Sequence, residues 1–394
     1  MKRLITILPA IGLLMALAAA PAQAAAPPGP YFNGFEKNTN GWFDGTTTGD
    51  GTITREPSGY TNGVGGYANG IASASGRYHA RLGVTTNPGS CLSGSSPLPQ
   101  PIFYGPYTNW GGYSSTFPTG GYRTDLDIYL DVPWAQTHSD RRFDWSSAIN
   151  DPNGNFRRDF VFNAGTDPLG FVISTGNNAN RCGANPADAG HQPIFITQSG
   201  WYTFQHAFNG SSGGPLSVTF TITQKSTGIV VGTWTRSDPS DVIGVTVGGN
   251  RYGWFVQNEI QDLAIDNSLR TGFCHQGDGE GDVESKDNNG KAHSHFHGQS
   301  CENQQGSDQG DVEHTDSGTG TNFQSTSVTA ATFTYDEDTQ TLTMVGTGVD
   351  NGLPVGFTMV AVDSNGLVPG VYSLVLTDGY AFAGSLVSGS LSVQ

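Results

Sequence analysis

The chain has 394 residues and a formal net charge of −16, with 34 acidic residues against 18 basic ones. A surface of that sign repels nucleic acid and anionic lipid and attracts cations, which excludes a nucleic-acid role. Glycine numbers 56, aromatics make up 11% and charged residues 13%, the profile of an all-β extracellular protein rich in tight turns and not of a disordered one.

Residues 1–24 read as a signal peptide. Lys2 and Arg3 precede an apolar stretch from Leu4 to Ala20, and Ala22-Gln23-Ala24 supplies the small-x-small cleavage pattern. Pro9 interrupts the stretch, so a transmembrane anchor is not expected, and no cysteine follows it to carry a lipid. Its removal takes two positive charges with it, leaving the mature chain near −18. The expected address is secreted, with no membrane span.

A long region, 31–270, then shows repeated strand signals: Arg77 to Val84, Tyr122 to Val132, Asp159 to Asn163, Phe171 to Ser174, Trp201 to Phe208, Leu216 to Gln224, Ile229 to Thr235 and Tyr252 to Val256. In Leu216-Ser217-Val218-Thr219-Phe220-Thr221-Ile222-Thr223 the apolar residues take one face and the polar ones the other, as in a half-buried antiparallel strand. Gly, Asn, Pro and Ser clusters separate the strands, and no helical period is sustained. The pattern predicts a large jelly-roll β-sandwich. Residues 271–320 turn hydrophilic and acidic, which on composition alone suits a linker. Cysteines at 274 and 301 and the alternating run His293-Ser294-His295-Phe296-His297 argue for strands there instead. Strand signals return at Ala331 to Tyr335, Thr341 to Gly346, Phe357 to Val362, Tyr372 to Thr377 and Ser390 to Val393, giving a smaller β-sandwich or barrel domain over 273–394.

Four cysteines suit an oxidising compartment and allow three pairings. The within-region pairing, Cys91 with Cys182 and Cys274 with Cys301, is the simplest. A zinc site using Cys274, Cys301 and nearby histidines has the ligand types but lacks a short Cys-x-x-Cys spacing.

The stretch Phe32-Asn33-Gly34-Phe35-Glu36 with Gly41-Trp42, matched by Leu263-Ala264-Ile265-Asp266-Asn267, resembles the start and finish of concanavalin-like and carbohydrate-binding jelly rolls. The resemblance implies neighbouring first and last strands and makes Glu36 and Asp266 candidate ligands of a structural calcium. Gly111-Gly112-Tyr113-Ser114, Asp127-Ile128-Tyr129-Leu130-Asp131, Arg142-Phe143-Asp144-Trp145 and Asn250-Arg251-Tyr252-Gly253-Trp254 resemble a set of uncharacterised secreted bacterial proteins. Phe323-Gln324-Ser325-Thr326-Ser327, Gly346-Thr347-Gly348-Val349-Asp350-Asn351-Gly352 and Asp378-Gly379-Tyr380 resemble a small β-domain of uncharacterised exported bacterial proteins. Neither likeness brings an activity.

The chemistry favours binding over catalysis. Retaining glycoside hydrolysis needs two carboxylates about 5 Å apart, carried on one strand in laminarinase-like jelly rolls, and that spacing does not occur. Asp125, Asp127 and Asp131 share a strand face by parity but lack the glutamates. His206, Arg251 and Tyr252 are residue types a polysaccharide lyase uses, and are too ordinary to identify one. Sugar recognition stacks a ring on Trp or Tyr, and the Gly/Pro-rich loop with Tyr107, Trp110 and Tyr113 offers such rings, as does Trp134. His293, His295 and His297 would line one face of a strand, where neighbouring imidazoles could hold zinc or copper with His275 or His314 completing the set. The same run also reads as a solvated strand face over a buried Phe296. Asn/Asp turns at 150–155 and 287–290 offer calcium oxygen ligands, though each is first a turn. The expected protein is a secreted, non-catalytic binder of extracellular or cell-surface glycan. Its alternatives are an extracellular polysaccharide-active lyase or hydrolase, and a structural envelope or matrix protein.

Overall fold

The computed structural model describes residues 30–394 except 46–50, 62–65, 86–104, 140, 179–184, 286–289 and 303–305. The signal segment, Cys91, Cys182 and most of the turn at 287–290 lie outside the described residues. The chain is nearly all β. Among the described residues no helix is long and apolar enough to cross a membrane.

Among the described residues, fifteen strands, numbered in chain order, build two facing sheets. The first runs β13 (Ile229–Val242), β12 (Pro215–Gln224), β11 (Gly200–Asn209), β6 (Tyr122–Leu130), β15 (Leu263–Gly272), β4 (Tyr78–Leu82) and β3 (Ile53–Pro57). The opening strand β1 (Tyr31–Asn33) pairs antiparallel with β15, Tyr31 opposite Arg270, so the first and last strands of this region are neighbours. The second sheet runs β10 (Ile194–Ile196), β9 (Gly170–Asn178), β8 (Phe156–Asp167), β7 (Arg142–Asn150), β14 (Asn250–Asn258), β5 (Tyr107–Thr108) and β2 (Trp42–Phe43). Side chains of both sheets interdigitate in one apolar core, with Leu126, Ile128, Phe204 and Ile265 from the first meeting Phe143, Trp145, Phe162 and Phe255 from the second. That shared core makes the region a sandwich. A short helix, α1 (Val132–Thr137), follows β6, and the Asp131 carboxylate caps it by accepting from Trp134 N at 3.1 Å.

Nine further strands follow: β16 (Cys274–Glu284), β17 (Lys291–Cys301), β18 (Gln309–Asp316), β19 (Thr321–Tyr335), β20 (Gln340–Asp350), β21 (Leu353–Asp363), β22 (Val371–Leu376), β23 (Ala381–Leu386) and β24 (Ser390–Val393). Each of β16 to β22 pairs antiparallel with the next, and β23 returns to β16 through Val283 opposite Leu386, closing an eight-stranded barrel. β24 adds to β16 beyond that closure. Phe296, Val312, Phe323, Leu342, Met344, Phe357, Met359, Tyr372 and Leu374 fill the interior. The hydrophilic segment therefore forms the first three staves of the barrel. Its inward positions on β16 and β17 include glycines because large neighbours need the room: a Cβ on Gly279 would lie 2.2 Å from the Phe296 ring, and one on Gly298 2.8 Å from Leu342. Cys274 and Cys301 face each other in register and form the expected disulfide.

Sandwich and barrel touch through charged groups. Glu337 accepts from the backbone N of Glu36 at 2.6 Å, Lys37 pairs with Asp338, and Arg123 pairs with Glu302. Glu302 also faces His275 at 3.2 Å.

Candidate functional site

The register across the second sheet places six residues in one row on its outer face: Phe43, Tyr107, Trp254, Ser146, Val161 and Gly176. Their chain neighbours Trp42, Thr108 and Trp145 point the other way and are buried. Alternation along each strand thus sends one set of aromatics to the core and the other outward. Phe43 is 42% exposed and stacks on the half-buried Tyr107 with ring centroids 5.0 Å apart. Trp254 is buried, and its indole N donates to Asp159 Oδ1 at 2.9 Å. Ser146 Oγ donates to the same oxygen at 2.7 Å. Tyr252 and Phe156 join Tyr107 and Trp254 in a small apolar cluster here, separate from the main core. The exposed Tyr113 lies nearby, with the Arg251 guanidinium 5.6 Å from its ring centroid.

Beyond this row the face becomes polar and buried. Arg142 holds Asp144 by contacts of 2.8 and 2.9 Å and reaches Asn163 at 3.4 Å. Burial nevertheless raises the Asp144 carboxyl to about 6, against the lowering pull of Arg142. Asp144 lies opposite Asn163 and Asp159 opposite Ala148, so the two acids are four residues apart along the strands. At the rise of a β-strand this is about 13 Å, beyond the roughly 5 to 9.5 Å that hydrolytic carboxylate pairs require.

The four proposed ligand-stacking residues separate. Tyr107 lies on the outer face just described, and Tyr113 is exposed beside Arg251. Trp110 is a core residue, completely buried, and corrects the expectation of a loop platform. Its backbone turns at φ 48° and its N donates to Thr108 Oγ1, folding the ring inward. A Cβ on Gly253 would lie 2.5 Å from it, so that glycine makes its berth. Trp134 sits on α1, stacked on His138 at 4.2 Å and edge-on to Tyr67 at 5.1 Å.

Glu36 and Asp266 both grip the segment leading into β4. Glu36 Oε1 accepts from the N–H groups of Arg77 and Tyr78 at 2.8 and 2.9 Å, and Asp266 Oδ2 accepts from Ser75 at 3.2 Å. Asp266 Oδ1 takes Asn267 N at 2.8 Å. Burial, with a smaller contribution from Asp127, pushes the Asp266 carboxyl up to about 8. Asp127 accepts from Asn267 Nδ2 at 2.8 Å and Thr203 Oγ1 at 2.5 Å, and pairs with Lys225. The three aspartates placed on one face by parity therefore have separate structural duties. Asp125 meets Arg123 at 3.2 Å, Asp127 meets Lys225, and Asp131 lies past the strand as a helix cap.

His293, His295 and His297 line the outer face of β17 while Phe296 points inward at 2% exposure. Each imidazole faces a carboxylate: His293 Nδ1 lies 3.0 Å from Asp282, His297 Nδ1 2.6 Å from Asp278, and His295 Nε2 3.5 Å from Asp311. His275 and His314 lie at buried positions of their strands, on the other side from these three. His314 bonds Ser294 Oγ at 2.9 Å and Tyr380 OH at 2.7 Å, and His275 contacts Glu302 and Tyr335. Among the described residues no three or more His, Cys, Asp or Glu side chains gather closely enough to hold a metal ion.

Phe43, Asp144, Ser146, Asp159 and Trp254 were not among the candidate site residues of the sequence. The available signal was the aromatic–polar alternation of Phe143-Asp144-Trp145-Ser146 beside Tyr252-Gly253-Trp254. No protein-family model matches the chain, and no curated protein matches it.

Proposed function

We propose that the protein is an exported, non-catalytic glycan-binding protein whose sugar lies across Phe43, Tyr107 and Tyr113 on the outer face of the second sheet. The observation that carries this reading is the exposed Phe43–Tyr107 stack at the open end of the row leading to Trp254 and Asp159. Flat rings beside fixed polar groups suit a pyranose, which presents an apolar face and a rim of hydroxyls. The separation of Asp144 from Asp159 favours retention over hydrolysis.

A structural calcium at Glu36 and Asp266 belongs to the same proposal. It is supported by the burial of Asp266, whose carboxylate would ionise more readily beside a dication. Backbone N–H groups already occupy Glu36 Oε1 and both Asp266 oxygens, so binding there would require rearranging the 75–78 segment.

The test is a glycan-array screen of the mature protein with and without calcium, followed by titration of the best ligand. Tyr107→Ala and Phe43→Ala should each weaken binding about tenfold, the loss of one stacking contact. Retention unaffected by both substitutions would overturn the site. Release of reducing ends or unsaturated products would replace binding by catalysis.

A further inference from the structure

A pocket lies on the other sheet, at its β3–β4 edge, with a volume of about 150 Å³. Thr54, Glu56, Tyr60, Arg81, Gln261 and Asp262 line it. Arg81 is only 4% exposed and is fixed from three directions. Its guanidinium lies 4.6 Å from the Tyr60 ring centroid, its NH2 donates to the carbonyls of Tyr60 and Ala68 at 3.3 Å each, and its NH1 lies 3.7 Å from Asp262 Oδ2. Its Nε has no hydrogen-bond partner among the described residues.

The charges narrow the ligand. Glu56 and Asp262 contribute two negative charges against the single positive charge of Arg81, so a phosphate or sulfate would meet net repulsion. Gln261 Nε2 donates to Asp262 Oδ1 at 3.0 Å, and a ligand entering beside them and Glu56 would accept from the second N–H of that amide while donating to the carboxylates. Neighbouring hydroxyls on a sugar ring do both at once. The small volume suits one ring and not a chain. We infer that this pocket binds a single neutral pyranose unit, free or at the end of a glycan, independently of the aromatic strip on the opposite sheet.

The experiment is ligand-observed NMR on the mature protein with a panel of neutral methyl pyranosides, with inorganic phosphate and calcium chloride as separate probes. At least one pyranoside should bind, and Glu56→Gln and Gln261→Ala should each weaken it about tenfold, as expected for losing a hydrogen bond in which one partner is charged or fixed. Tyr107→Ala should leave it unchanged, which separates this site from the one proposed above. Unchanged tryptophan fluorescence would show that the variants fold. Binding by no pyranoside, binding only of phosphate or calcium, or loss through Tyr107→Ala with retention in both pocket variants would each overturn the assignment.

Discussion

The outer face of the second sandwich sheet and the outer face of barrel strands β16 to β18 use similar residues to opposite ends. In the sandwich, Asp144, Asp159 and Asn163 are buried, each engaged with a fixed partner. In the barrel, Asp278, Asp282 and Asp311 are exposed and face His297, His293 and His295 across the strands. Surroundings, more than residue type, set the chemistry. Burial lifts Asp144 to about 6, whereas the hydrogen bond from His293, followed by that from Ser388, holds Asp282 below its usual value. Ion pairs exposed like those of the barrel contribute little to stability. The buried polar face is the better place to look for recognition.

The contrast between inner and outer walls is sharpest on β17, and the largest effect is expected there. Phe296→Ala removes a buried ring stacked on Tyr372 at 6.1 Å and should cost about 3 to 5 kcal/mol. His295→Ala, one residue away on the outer wall, should change stability by less than about 0.5 kcal/mol. All seven tryptophans precede the barrel, so fluorescence follows the sandwich while hydrogen exchange in β20 and β21 follows the barrel. Equal costs at the two positions would break the distinction between the walls.

Acidification should separate the two regions next. His314, inside the barrel, is lowered to about 4 by burial, partly offset by Asp316. The unfolded chain binds its proton near pH 6.5 and the folded barrel only near 4. Stability is therefore complete above 6.5 and declines as pH falls through that window, by about 3 kcal/mol. In the sandwich, His79 and His206, lowered to about 4 and about 3 by burial, act in the same direction. Asp144 and Asp266 act against them, because a carboxyl raised in the folded state destabilises as pH climbs from its unfolded value toward its folded one. Denaturation at pH 7.5 and pH 5, read by exchange and by fluorescence, should show a steeper loss for the barrel. A steeper loss for the sandwich would contradict this balance.

The smallest effect concerns the proposed calcium. If an ion binds at Glu36 and Asp266, chelation should lower the fluorescence-detected midpoint. A ligand at a hundredfold excess over Kd is worth about 2.7 kcal/mol, and Asp266→Asn should abolish the response. A midpoint indifferent to chelation would leave both carboxylates solely as clamps on residues 75–78.

Most barrel strands were legible because each has one wet face. The run at 293–297 placed Phe296 inward and its histidines outward, as alternation demands. Its first stave was harder to read, since β16 offers Gly277 and Gly279 where a pattern search expects large apolar residues; the missing volume comes from Leu342 and Phe296 on other strands. In the sandwich the alternation rule lost its premise. β7, β8 and β14 are buried over nearly their whole length on both faces, so β7 was not recognised as a strand and Asp144, though part of a quoted motif, was given no place in a site. Trp110 misled for a different reason: its Gly/Pro-rich setting suggested a surface loop, while the berth that takes it inward depends on Gly253, remote in sequence.

The barrel's last strand leaves one more consequence. Gln394 exchanges backbone hydrogen bonds of 3.0 and 2.8 Å with Gln276, two residues after the barrel begins. The chain enters and leaves this unit at nearly the same point in space. Such a module can be spliced into a surface loop of another protein without stretching its host, and its ends can be joined and reopened elsewhere by circular permutation.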